Sequence, residues 1–406
     1  MTHVERQGEV VLLDEDGTAL WRVAEPASDA QASPVLDGLQ VYCGGRDGVV
    51  SRARADGDLL WQVPVPVPVY GLWAAGDLVV VVGGQAGVGG QAVGIDAATG
   101  SARWRHRLPG RGLLGDQVLT GNGGLAWSLD DNDRRTQVMD LQTGTVRWTS
   151  TARGQAGALT AGGGLVLRGE DAHVTAYDSL DGRALWRSEE LTGHLHIQLV
   201  EGLAVLSQSA YGAGLDGSMC ALRLVDGTTA WTLRDSAALA TGGSGAGRVV
   251  VHTRGIEPRF GLLDLTDGRV RWWVDSQIAL HVPAIVTHDA VLTVEGGTVD
   301  QQRCELLARS VLSGGLLWRV DVPDTHQAPV TPAHDRVRVL GRSASDPEVA
   351  DVTTRRISTG EPTGRATVRG WVSRPGDGIV LQGADPLRAI ACERPASTSP
   401  GQLRWV

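Results

Sequence analysis

The sequence predicts an all-β fold, a single closed β-propeller of four-stranded blades spanning residues 1–406. Three observations lead there. The string G-x-x-x-W recurs along the whole chain, short β-branched runs fill each interval, and no segment of useful length carries a helical period. The glycines are Gly17, Gly57, Gly100, Gly144, Gly182, Gly227, Gly268, Gly314 and Gly401. Four residues after each stands Trp21, Trp61, Trp104, Trp148, Trp186, Trp231, Trp272, Trp318 or Trp405. The first eight tryptophans are 38–46 residues apart, the period of a propeller blade. The last interval is 87 residues, and a decayed copy, "RRISTGEPTGRATV", fills it with Gly364 where tryptophan belongs.

Within one period the elements follow a regular order. An apolar strand comes first ("ASPVL", "PAIV", "APVT") and ends at Asp-Gly or Gly-Gly. A β-branched second strand follows ("LQVYCGG", "LVVVVGG", "RVVVHT", "IVLQG"). The third strand ends in an aspartate, Thr-Gly or Asp-Gly turns the chain, and the fourth strand carries the tryptophan, as in "VMDLQTGTVRW". A two-residue hairpin turn requires positive φ, which accounts for the glycine. Indole on the outermost strand can lie against the neighbouring blade, with burial contributing roughly 1.5–3 kcal/mol or more per ring.

Composition narrows the function. The chain carries 46 acidic and 37 basic residues, all of the latter arginine, for a net charge of −9. Scattered arginines on an acidic protein argue against nucleic acid or an anionic membrane as partner. Without lysine there is no Schiff-base chemistry and no P-loop. Cys43, Cys220, Cys304 and Cys392 are far apart and read as reduced, strand-borne core residues. The first thirteen residues lack the features of a signal peptide, and no apolar run reaches spanning length, so the expected location is the cytoplasm. The glycine-rich stretches at 83–94 and 241–248 open no helix and read as blade loops.

The repeated string resembles the tryptophan-docking motif A-x-D-x-x-T-G-x-x-x-W of the PQQ-like (quinoprotein alcohol dehydrogenase-like, BamB-like) β-propellers. Asp96, Asp140, Asp178 and Asp264 keep its aspartate. The resemblance covers essentially the whole chain and, like the WD40 and YVTN architectures, implies a ring. It implies eight blades. The copy count, an N-terminal hairpin at 9–23 plus nine full units, suits nine. Residues 1–23 are then expected to take part in ring closure. The family's dehydrogenases hold PQQ with a vicinal disulfide and a calcium-binding set in a longer, exported chain. This sequence has no adjacent cysteines, so neither PQQ nor another cofactor or metal is expected.

Candidate functional residues are those that differ between copies. The run leading into each first strand supplies Asp29, Gln31, Tyr70, Asp116, Gln117, Gln155, Thr241, Arg369 and Trp371 as ligand-binding candidates at one mouth of the channel. The same run supplies His194, His196, His281 and His326 as candidate acid–base groups, His194 and His196 sharing a strand face. The expected function is a cytoplasmic binding scaffold that takes a small molecule or a partner protein at this funnel. The alternative is a cofactor-independent isomerase, cyclase or lyase of bacterial specialised metabolism, acting at the histidine-bearing mouth.

Overall fold

A computed structural model gives the fold of the chain. It describes residues 7–13, 19–26, 35–37, 39–45, 48–65, 69–85, 89–108, 117–120, 122–128, 135–150, 158–170, 173–191, 195–208, 218–233, 237–253, 258–275, 278, 284–295, 303–323, 330–333, 335–342, 349–369 and 387–390. Among them are strands, turns and no helix.

Eight four-stranded antiparallel sheets form the blades of a propeller. An N-terminal hairpin precedes them, β1 (Gln7–Leu13) and β2 (Ala19–Pro26). Blade 1 is β3 (Val35–Asp37), β4 (Gln40–Gly45), β5 (Gly48–Ala53) and β6 (Leu59–Val63). Blade 2 is β7 (Val69–Ala75), β8 (Leu78–Gln85), β9 (Gly89–Asp96) and β10 (Ala102–Leu108). Blade 3 is β11 (Gln117–Thr120), β12 (Gly124–Ser128), β13 (Thr136–Asp140) and β14 (Val146–Thr149). Blade 4 is β15 (Ala158–Gly162), β16 (Leu165–Glu170), β17 (His173–Asp178) and β18 (Ala184–Ser188). Blade 5 is β19 (Leu195–Val200), β20 (Leu203–Gln208), β21 (Met219–Arg223) and β22 (Thr229–Leu233). Blade 6 is β23 (Ala237–Gly245), β24 (Arg248–Thr253), β25 (Phe260–Asp264) and β26 (Val270–Val274). Blade 7 is β27 (Ile285–Val286), β28 (Ala290–Glu295), β29 (Arg303–Ser310) and β30 (Leu316–Pro323). Blade 8 is β31 (Val330–Ala333), β32 (Arg336–Arg342), β33 (Val349–Arg356) and β34 (Pro362–Arg369), and β35 (Leu387–Ile390) follows it.

Each blade's first strand is innermost. β11 lies beside β15, β15 beside β19, β19 beside β23 and β23 beside β27, so successive first strands run around the axis. The middle strands are covered on both faces by neighbouring blades. Their sequences are therefore continuously apolar rather than alternating, as in Val79–Val82 of β8, all essentially inaccessible. Outermost strands bury little beyond the tryptophan: in β6 only Trp61 is buried, between exposed Leu59 and Leu60 on one side and Gln62 on the other.

The core is a set of layers between sheets, and the repeat motif builds eight successive seams, from the N-terminal sheet to blade 8. The indole Nε1–H of Trp21 donates to Arg54 O, Trp61 to Ala97 O, Trp104 to Leu141 O and Trp148 to Ser179 O. Trp186 donates to Leu224 O, Trp231 to Leu265 O, Trp272 to Val311 O and Trp318 to Ile357 O. All eight bonds are 2.7–3.2 Å long, and each reaches one sheet forward along the chain. The ring of each tryptophan also lies against the motif glycine of the sheet it reaches. A Cβ on Gly57, Gly100, Gly144, Gly182, Gly227, Gly268, Gly314 or Gly360 would come within 2.5–2.8 Å of that indole.

The motif turn is longer than the two-residue hairpin expected from its sequence. Asp96 N–H bonds Ser101 O and Gly100 N–H bonds Asp96 O, leaving a four-residue loop with glycine in the left-handed region. Two-residue turns of that kind occur instead between first and second strands, at Gly163-Gly164, Glu201-Gly202 and Ala246-Gly247, with φ of 48–81° at every position. The four-residue loop arises because the aspartate side chain organises it. Asp96 Oδ1 accepts from the Ala98 and Thr99 amides and the Thr99 hydroxyl, while Oδ2 accepts from Arg103 Nε. Asp140 repeats this with Gln142, Thr143 and Arg147.

Three copies without the aspartate use an arginine one position earlier. Arg52, Arg309 and Arg355 each donate through Nη1 to the carbonyl of their own motif glycine, at 2.9, 3.3 and 2.9 Å. The turn is thus held from the acceptor side instead of the donor side.

Among the described residues, the ninth unit of the copy count contributes one strand, β35, to a sheet with the N-terminal hairpin. β1 pairs antiparallel with β2 and parallel with β35, giving a three-stranded sheet. Trp21 of this sheet seats on blade 1, Leu12 and Trp21 packing with Val41, Cys43 and Val50. On its other side Arg22 donates to Thr367 O of blade 8. Blade 8 itself has Gly364 in the tryptophan position, where it pairs with Thr354.

Candidate functional site

First strands start at the mouth that receives the connections between blades, and four of the candidates lie on them. Tyr70 is in β7, Gln117 opens β11, His196 is in β19 and Thr241 is in β23. His196 is exposed and lies directly across from buried Ser207 of β20. β19 runs beside β23, so His196 and Thr241 are on neighbouring innermost strands.

Two of these positions coincide with breaks in the ladder. The register between β7 and β8 shifts between Val69 and Gly71, leaving Tyr70 unpaired in the backbone ladder. Between β23 and β24 it shifts between Leu239 and Ser244, a break that contains Thr241. The other six ladders between first and second strands show no shift. A bulge re-aims a side chain and ends regular pairing, and bulges concentrate beside functional sites.

Arg369 falls elsewhere. It ends β34, the outermost strand of blade 8, paired with Val349, because that strand continues as far as Arg369. Asp29, Gln31, Asp116, Gln155, His194, His281, His326 and Trp371 lie outside the described residues, as does Cys392. Cys43 and Cys220 are buried cysteines on β4 and β21.

Lowered aspartates lie at the motif turns on the opposite face, where their role is structural. The Arg103 guanidinium and the Thr99 amide and hydroxyl bring the Asp96 carboxyl down to about 2. Arg103 also pairs with Asp77 at 2.8 Å. Such ion-pair networks perturb acids without any catalytic role.

Sequence reasoning missed Trp73 and Trp127. Both are buried, in β7 and β12, and Trp127 is paired across the ladder with Gln117. The signal available was negative: they are tryptophans outside the G-x-x-x-W register.

Fold and seams together define the class: an eight-bladed, all-β propeller whose sheets are joined by tryptophan docking. The chain matches the family described as outer membrane protein assembly factor BamB over residues 6–131 and 88–240. These stretches cover more than half of it, and the chain belongs to this family of PQQ-like β-propellers. Among solved structures, the computationally designed Ika8 protein is 14% identical, with a TM-score of 0.53 over 87% of this chain and 99% of its own. Europium-containing methanol dehydrogenase is 11% identical, with a TM-score of 0.51 over 77% of this chain and 81% of its own. BamB from Moraxella catarrhalis is 17% identical over 78% of this chain and 89% of its own, with a TM-score of 0.47. These likenesses concern the fold. No curated protein matches the chain.

Proposed function

We propose that the chain is a cytoplasmic binding scaffold that takes a small molecule or a partner protein at the mouth where the first strands begin. The observation that carries this reading is the pair of ladder breaks at Tyr70 and Thr241, in a ring whose other first-to-second-strand ladders are regular. Docking residues repeat from blade to blade, while the residues starting the first strands do not: Tyr70, Gln117, His196 and Thr241 are all different. A rigid ring presenting variable polar and aromatic groups suits recognition.

The reading excludes PQQ redox chemistry. No two cysteines are adjacent in the sequence, and Cys43 and Cys220 belong to blades 1 and 5 and face apolar layers between blades, which supports a reading without PQQ. An acidic chain whose basic residues are all arginine, scattered along it, supports neither a nucleic-acid nor a membrane partner.

The test is incubation of the purified protein with a metabolite extract and with lysate, without added cofactor, followed by mass spectrometry of what is retained and what is consumed. A scaffold retains a small molecule or protein unchanged, and Tyr70→Ala together with Thr241→Ala weakens that retention by tenfold or more. Consumption of a metabolite would replace this reading by the cofactor-independent enzyme, with loss in His196→Ala assigning the acid–base group.

A further inference from the structure

The layer between blades 2 and 3 contains polar groups that the docking motif does not use. Trp73, Val80, Val82, Ala92, Leu108, Leu125, Trp127, Met139 and Leu141 form one apolar cluster there. Trp73 and Trp127 are 5% and 4% exposed, and among the described residues the Nε1–H of each is buried without a hydrogen-bond partner. Trp104, in the same layer, makes its docking bond to Leu141 O at 2.7 Å. The two other indoles are therefore not dockings that failed: they sit on inner strands, with no carbonyl seat among the described residues.

Acceptors face the same layer. Gln137 lies directly across from Trp127 on the next strand, so both side chains share the sheet face toward blade 2. Its amide bonds Thr149 Oγ1 through Nε2, and Oε1 is buried and without a partner among the described residues. Reversing the amide would leave the other polar atom in the same position, so one orphan remains either way. The His106 ring packs on Trp127 with centroids 6.3 Å apart. Burial pushes the His106 pKa down, so at neutral pH the ring is an uncharged acceptor. Trp73 leans over Gly71, where any Cβ would come within 2.1 Å of the ring. The absence of a side chain at Gly71 is what lets that indole lie flat in the seam.

Buried donors and acceptors in native proteins are almost always satisfied, by protein or by a bound molecule. Two orphan N–H donors and one orphan amide oxygen facing a single apolar layer match one kind of ligand. A hydroxyl oxygen accepts from indole N–H and donates its own proton to an amide oxygen, and no charge has to be buried. We infer that the seam between blades 2 and 3 is a binding site for a small uncharged hydroxyl compound, a resident water or a small alcohol, held by Trp73 Nε1, Trp127 Nε1 and Gln137. The site lies inside the ring and does not depend on the mouth binding anything.

The experiment is nitrogen-15 NMR of the indole groups in the full chain, with cross-relaxation from water and a titration with ethanol. Trp73→Phe and Trp127→Phe, each deleting one resonance, supply the assignments. Where one of these variants does not fold, selective labelling by position supplies the assignment. The Trp73 and Trp127 indole protons are expected to show cross-peaks to long-lived water, whereas those of Trp61, Trp148, Trp231 and Trp272 do not. Saturable shifts of the same two resonances with ethanol, and loss of their water cross-peaks, identify an exchangeable alcohol site. Water cross-peaks that ethanol leaves unchanged identify a resident water. Gln137→Leu is expected to shorten the residence of either one at least tenfold. Absence of both water cross-peaks and saturable ethanol shifts at Trp73 and Trp127 overturns the inference.

Discussion

Gly268 meets two demands at once: its φ is 69°, and the Trp231 ring would lie 2.6 Å from any Cβ. Gly76, with φ 66°, meets only the first, since nothing lies within 4 Å of its missing side chain. Gly76→Ala is therefore expected to cost only the backbone penalty, about 1 kcal/mol. Gly268→Ala adds an overpacking cost of about 1–3 kcal/mol to the same penalty. Urea unfolding of the two variants checks this, and equal losses would refute the close-approach argument. Arg309 illustrates a different demand. It holds Glu295 through paired bonds of 3.0 Å while Thr293 donates to the same carboxylate, and the Glu295 side chain is 6% exposed. Arg309→Met leaves a buried, unpaired carboxylate and is expected to cost about 3–5 kcal/mol. Adding Glu295→Gln should recover part of that loss, because the amide oxygen still accepts from Thr293. A double variant no more stable than the single one would contradict this.

At the scale of the element, the motif hairpin links charge to pH. The folded Asp96 pKa, about 2, is below the roughly 3.9 of an unfolded aspartate. Its contribution is therefore complete above about pH 4 and is lost as pH falls from there toward 2. Asp96→Asn should flatten the fall of the urea midpoint across that window, and parallel curves would show that the carboxylate contributes nothing there. The hairpins also mark how far sequence reading reaches. Indole at a constant offset from glycine is legible because a large ring must fill the same space in eight successive seams. Loop length is not, because Thr-Gly and Asp-Gly are compatible with two-residue and four-residue turns alike, and side-chain bonds from Asp96 or Asp140 decide between them. The seat of each indole is a backbone carbonyl, which any residue supplies, so Arg54, Ala97 and Ser179 share no side-chain signature. At the mouth, sequence assigned Tyr70, Gln117, His196 and Thr241 to the runs leading into the first strands, and the structure has them on those strands, but the breaks at Tyr70 and Thr241 depend on pairing with β8 and β24. Register with a partner strand has no local code. Arg369 shows the converse error, assigned to a connection while β34 runs on through it.

For the whole molecule, the N-terminal sheet covers the face of blade 1 that carries Val41, Cys43 and Val50. Leu12 and Trp21 close over Val41, Cys43 and Val50, and Cys43 is fully inaccessible. Deleting residues 1–26 is expected to open that face, making Cys43 reactive to a thiol reagent at pH 8. Cys220, whose thiol burial pushes up to about 12, should stay unlabelled and report that the rest of the ring is folded. Mass spectrometry of the labelled chain reads both sites, and a Cys43 as protected as in the full chain would show that another segment covers blade 1. Every docking bond also has a direction, since each tryptophan reaches a carbonyl 31–39 residues further along the chain. During synthesis the indole therefore always emerges before its seat exists. At about 5–20 residues per second, each ring waits roughly 2–8 seconds in water until the next hairpin arrives. Assembly on the ribosome is thus a ratchet with a step of one repeat, in which every new turn shields the hydrophobic surface left by the last.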